Sequence, residues 1–89
     1  MPRMIYTEGF LDDAALIYSD RVMSKLSNAL SSIEAFPQIG SQMVPSSIKS
    51  LYGGRVRKVV VDPFDLVYEY IESEDAVIVY GLVPFRSAS

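Results

Sequence analysis

The 89-residue sequence predicts an α+β fold in the order β-α-α-β-β-β, with a helical hairpin packed on one face of a small, mainly antiparallel sheet. Three features predict it. Apolar residues recur every three or four positions from Leu11 to Phe36, the stripe of an amphipathic helix. Between Arg55 and Val83 lie three short runs rich in valine and aromatic residues, separated by tight polar turns, the pattern of consecutive antiparallel strands. Apart from one short leading strand, helical and strand segments are segregated along the chain, which favours helices on one side of a sheet.

Each element has a local cause. Arg3 to Thr7 reads as the first strand, and Thr7 can cap the helix that follows. The stripe Leu11, Ala15, Tyr18, Val22, Leu26, Ala29, Ile33 and Phe36 would make a rod of about 42 Å if unbroken. Ser19-Asp20 supplies N-cap side chains in its middle, so the expectation is two helices, 8–18 and 20–35. Pro37 ends the second, because the residue before a proline is biased out of the α region. The stretch 37–54 lacks periodicity and is long for a bare loop, so a helical turn is expected within Ser46 to Leu51, pinned by Ile48, Leu51 and Tyr52. Gly53-Gly54 leads into a strand from Arg55 to Val61. Asp62-Pro63 turns the chain, Phe64 to Ile71 forms the next strand, Glu72 to Asp75 turns again, and Ala76 to Val83 forms the last. The whole of 1–89 reads as one domain, without repeat or linker.

Composition excludes several chemistries. The chain has no cysteine and no histidine, so disulfides, thiol nucleophiles, imidazole bases and His-ligated metal sites are absent. No carboxylate cluster carries a metal signature, and no cofactor is implied. No apolar run approaches the roughly 20 residues of a membrane helix, and the start has no signal-peptide pattern, so a cytoplasmic protein without membrane contact is expected. Eight basic and eleven acidic residues give a net charge of −3, unevenly spread. Residues 35–61 carry Lys49, Arg55, Arg57 and Lys58 and no acid, whereas 62–89 carry Asp62, Asp65, Glu69, Glu72, Glu74 and Asp75 against Arg86. A local basic stretch can serve an anion or an acidic partner, or can simply protect a strand edge.

Strand alternation defines two sheet faces. Leu66, Tyr68 and Tyr70 share one with Arg57, Val59 and Val61; Asp65, Val67, Glu69 and Ile71 share the other with Val56, Lys58 and Val60. Two helices cover one face. The other is expected to expose Val56, Val60, Val67 and Ile71 beside Asp65, as a binding surface or homodimer seam, unless 37–54 folds over it. Arg57 is expected to pair with Asp12, Asp13 or Glu34, and Tyr52, Tyr68 and Tyr80 to serve as core aromatics.

Several local patterns resemble the RelE/ParE superfamily of bacterial type II (plasmid stabilisation) toxins. They are Tyr6-Thr7 before Leu11-Asp12-Asp13, the closure Phe36-Pro37-Gln38-Ile39-Gly40-Ser41, the hairpin from Val56 to Glu69 through Asp62-Pro63-Phe64-Asp65, and Val79 to Arg86. The resemblance implies a toxin neutralised by a cognate antitoxin laid over its sheet and helices, acting either on the ribosome as an mRNA interferase or on DNA gyrase. For an RNA-cleaving member it implies cations on the sheet face, which here are Lys58 and Arg86. The family's companion lysine is Val56 in this chain, Asp65 stands where an arginine follows the aromatic and could pair with Lys58 or Arg86, and the sequence ends at Ser89 before the family's C-terminal tyrosine. The cleavage set is therefore incomplete, and a non-catalytic member acting only as a protein-binding or assembly module is the alternative.

Overall fold

The computed structural model describes residues 1–85. Its elements are β1 (Arg3–Tyr6), α1 (Glu8–Ala15), α2 (Asp20–Ala35), α3 (Ser46–Tyr52), β2 (Arg57–Val61), β3 (Phe64–Ile71) and β4 (Ala76–Pro84), with a single 3₁₀ turn at Glu72–Glu74. The strands form one sheet in the order β1-β4-β3-β2. β2–β3 and β3–β4 are antiparallel hairpins, whereas β1 runs parallel to β4, pairing Arg3 with Ala76 and Tyr6 with Val79. The chain crosses from the β1 edge to the β2 edge through the helices, so its first and last strands become neighbours.

The helices start where the caps predict. Thr7 Oγ1 accepts the Phe10 N–H at 3.1 Å, and Ser19 Oγ accepts the Val22 N–H at 3.3 Å, each satisfying one of the N–H groups a helix start leaves unpaired. α1 ends at Ala15, three residues before the expected end, and this break resets the helical phase. Phe10, Ala14 and Ile17 face the core, whereas Leu11, Leu16 and Tyr18 point to solvent, Tyr18 being 91% exposed. The expected stripe therefore fails in its first third. From Leu26 through Ala29 and Ile33 it holds, and Phe36, just past the helix end, is again exposed.

Two cores sandwich the sheet. The larger joins Phe10, Leu26 and Ile33 of the helical hairpin to Val61, Leu66, Tyr68, Val77, Val79 and Leu82. The smaller lies on the opposite face and joins Val44 and Ile48 to Val56, Val67 and Val83, with Tyr52 and Tyr80 packed against it. Residues 37–54 thus fold over the second face through α3. The expectation of an open apolar face is corrected: Val56 and Val67 are buried beneath α3, Asp65 is buried, Ile71 is half-buried, and only Val60 is largely exposed, at 60%. Eighteen residues without periodicity hold enough apolar anchors to pay the loop-ordering entropy, which alternation in the strands alone could not reveal.

A register shift rephases β4. Val67 pairs with Gly81 but Tyr68 pairs with Val79, leaving Tyr80 as the extra residue of a β-bulge. Val79 and Leu82, three apart, thereby face the same core.

Candidate functional site

The second face of the sheet carries the expected site residues that are described, and three elements shape it. β2 brings Lys58, β3 brings Asp65 and Glu69, and the bulge of β4 brings Tyr80. Lys58 lies diagonally across the β2–β3 ladder from Asp65, because Lys58 pairs with Val67 and Val60 with Asp65. Its Nζ is 3.7 Å from Asp65 Oδ1, with the side chains 25% and 5% exposed respectively. That separation is charge contact without a hydrogen bond, and Asp65 Oδ1 has no hydrogen-bond donor. At the β2 edge Lys58 also exchanges both backbone hydrogen bonds with Ser41, at 2.9 Å each, so the chain entering the α3 segment covers this part of the edge.

Arg57 points to the helix side, as alternation requires, but not to an acid. Its Nη1 donates to the carbonyls of Gln38 and Gly40, both at 3.0 Å. The expected pairing with Asp12, Asp13 or Glu34 is thereby corrected: the carbonyls of the turn after α2 lie nearer than any helix carboxylate. Tyr68 clamps the same turn, its hydroxyl donating to Pro37 O and accepting from Gly40 N, both at 2.8 Å. Gly40 is required by close approach, since a Cβ there would lie 2.6 Å from the Tyr68 hydroxyl oxygen. The Phe36-to-Ser41 closure that carried the resemblance is thus a turn fastened by Arg57 and Tyr68.

A second polar group surrounds the bulge. Tyr52 of α3 stacks on Tyr80 with ring centroids 5.7 Å apart, and the Tyr80 hydroxyl donates to Glu69 Oε1 at 2.9 Å. Beyond Tyr6 the edge of β4 has no β1 partner. There Asp13 Oδ2 of α1 accepts the Leu82 N–H at 3.0 Å, and Gly81 leaves the space that Asp13 and Tyr52 occupy. Burial, then the Asp13 charge, raise the Tyr52 hydroxyl pKa; burial, then the hydrogen bond to Glu69, raise that of Tyr80. Both tyrosines stay protonated at neutral pH. The sequence offered Asp13 as a partner for Arg57 and put Glu69 on the second face, but it gave neither acid its place beside the bulge. A glycine inside a valine-rich strand was the one available sign of a bulge here.

The surface grooves formed by the described residues include three. One of about 330 Å³ lies between β1 and the helical hairpin, lined by Met4, Tyr6, Phe10, Met23, Leu26 and Leu30 among others. The other two flank the exposed Ile39, one beside Phe36 and Tyr70 and one beside Val60 and Lys25. No described helix is long and apolar enough to cross a membrane. Arg86, the second cation implied by the resemblance, lies outside the described residues. Among the described residues, the structure therefore places Lys58 against Asp65, with Val60 as the exposed member of the face.

The chain superposes on a chain of the crystal structure of the intact E. coli RelBE toxin–antitoxin complex, with a TM-score of 0.71 over 94% of this chain and 96% of that one. The fold is RelE-like. The two chains share 17% sequence identity, so the likeness is one of backbone architecture. No protein-family model matches the sequence, and no curated protein matches it. The RelE-like element order and the α+β architecture inferred from the sequence are both present.

Proposed function

We propose that this chain is the toxin component of a toxin–antitoxin pair, held inactive by direct contact with an antitoxin, and that it arrests growth by binding a protein target such as DNA gyrase without cutting RNA. The carrying observation is the Lys58–Asp65 pair. Cleavage at a 2′-hydroxyl needs cations free to hold the phosphorane and groups to move two protons. Here the strand lysine is held 3.7 Å from a buried carboxylate. Arg57 is engaged by two carbonyls, and Tyr80 donates to Glu69, which leaves these groups committed to the fold. A net charge of −3 opposes approach to ribosomal RNA, since phosphate contacts dominate such affinity. The RelE-like fold supports the toxin reading, and the apolar groove beside the free edge of β1 supports an antitoxin contact through an extended or helical segment.

The test is controlled expression in a bacterial host, with and without the gene adjacent to this one, followed by mapping of new mRNA 5′ ends and of DNA breaks. Arrest relieved by the neighbouring product, with DNA breaks and no codon-phased cuts, is the expected outcome. Codon-phased cuts that disappear in a folded Lys58→Ala variant would establish an mRNA interferase instead. Absence of arrest from folded protein would leave the non-toxic, protein-binding member.

A further inference from the structure

Resting on the protein-binding function proposed above, we infer that Asp65 is a specificity residue: it neutralises the Lys58 ammonium and so keeps this sheet face from accepting a polyanion such as single-stranded RNA. Lys58 belongs to the one stretch of the chain with bases and no acid, residues 35–61. Within that stretch Arg57 is fastened to the carbonyls of Gln38 and Gly40. Lys58, the next residue, faces the second side of the sheet, and its side chain is 25% exposed. The carboxylate that answers it comes from the acidic last third of the chain, one strand away.

Among the described residues, the packing around position 65 is apolar apart from Lys58. Its direct cross-strand neighbours are Val60 and Val83, and the adjoining core is made of valines and Ile48. An apolar side chain would bury there at no electrostatic cost, whereas a carboxylate must be desolvated. Asp65 is nevertheless buried, and its Oδ1 takes no hydrogen bond, with Lys58 as its charged neighbour at 3.7 Å. The role of this buried carboxylate lies in what it does to the cation. Lys58 with Asp65 presents no net charge to a phosphodiester, while Lys58 alone, beside a low-dielectric valine surface, would attract one.

The experiment measures binding of a fluorescent single-stranded RNA oligonucleotide to the purified full chain by anisotropy, at low salt and again at high salt. Asp65→Asn, close in shape, is expected to bind about fivefold or more tighter than the parent at low salt, an effect that salt screens away. Adding Lys58→Gln to Asp65→Asn should abolish the gain. Asp62→Asn, which changes the net charge equally from an exposed position in the neighbouring turn, should give no gain. Circular dichroism and a thermal midpoint establish folding of each variant, and Asp65→Leu provides a second neutral side chain should the amide fold poorly. A folded Asp65 variant that binds RNA no better than the parent would overturn the inference. So would a gain that survives Lys58→Gln or is matched by Asp62→Asn. Tight, salt-resistant RNA binding by the parent itself would instead sink the protein-target function, so the two failures are separable.

Discussion

Tyr68 is where a single residue does most for this fold. It lies in the larger core, and its hydroxyl ties the turn after α2 to the sheet through Pro37 O and Gly40 N. Tyr68→Phe leaves the Gly40 N–H short of an acceptor and should cost about 1–3 kcal/mol, read by urea unfolding. Gly40→Ala forces a Cβ to within 3.0 Å of Tyr68 and Arg57, and a similar loss of about 1–3 kcal/mol is expected from overpacking. The tyrosines also set an alkaline limit. Burial is the leading cause that raises the Tyr68 hydroxyl above its ordinary value of 10.0, opposed by the Gly40 hydrogen bond and the Arg57 charge; Tyr52 and Tyr80 are raised as well. A raised folded pKa means that the native state holds its protons longer than the unfolded chain. This contribution is complete below the unfolded pKa near 10 and is lost as pH rises through the folded values. Stability measured from pH 8 upward should be flat and then fall above about pH 10, with a smaller fall in Tyr68→Phe. A fall beginning near neutrality would contradict that assignment.

Among the elements, α1 and α3 carry the least obvious roles. α1 lies beside the part of β4 that β1 leaves unpaired. Thr7 joins the two, because its Oγ1 caps Phe10 N and lies 3.1 Å from the carbonyls of both Val79 and Tyr80, to which its single hydroxyl proton is donated. Thr7→Ala should therefore cost at least the roughly 1 kcal/mol of an ordinary cap, and Thr7→Ser much less. α3 is seven residues long, has no side-chain cap at its N-terminus, and holds the second face through Ile48 with Val44 and Tyr52. Ile48→Ala should cost about 2–4 kcal/mol and raise the binding of a hydrophobic dye, as Val56, Val67 and Val83 lose their cover. Unchanged dye binding would mean that the second core stays closed without Ile48.

At the scale of the molecule, the central β3–β4 pair lies between two cores of unequal size. Native-state hydrogen exchange should find its amides the slowest, exchanging only on global unfolding, with those of α3 opening earlier. Equal protection of α3 and β4 would show instead that both cores unfold as one unit. Exposed apolar residues lie on several elements. Leu11, Leu16 and Tyr18 lie on the helical hairpin, Ile39 and Val60 lie near the β2 edge, and Phe36 lies beside Tyr70. Under the proposed function, an antitoxin docked in the groove between β1 and α2 should protect the amides of β1 while leaving Val60 as exposed as in the free chain.

Much of this architecture follows from the sequence alone. The helix starts at Thr7 and Ser19, the end of α2 before Pro37, the two hairpins, and the division of β2 and β3 into two faces are local matters of capping chemistry and period-two alternation, and each lies where those rules put it. The order of elements was legible for the same reason, and its likeness to RelE came from the resemblance of local patterns. Tertiary structure alone decided the rest. It left Leu11 in solvent, folded α3 over Val56 and Val67, and inserted a bulge at Tyr80 that rephased β4. It also gave Arg57 two carbonyls and brought Lys58 to a buried Asp65. These outcomes depend on contacts between residues distant in sequence, and on competition for burial and for hydrogen-bond partners. Periodicity reports which side a residue faces, but packing decides what it meets there.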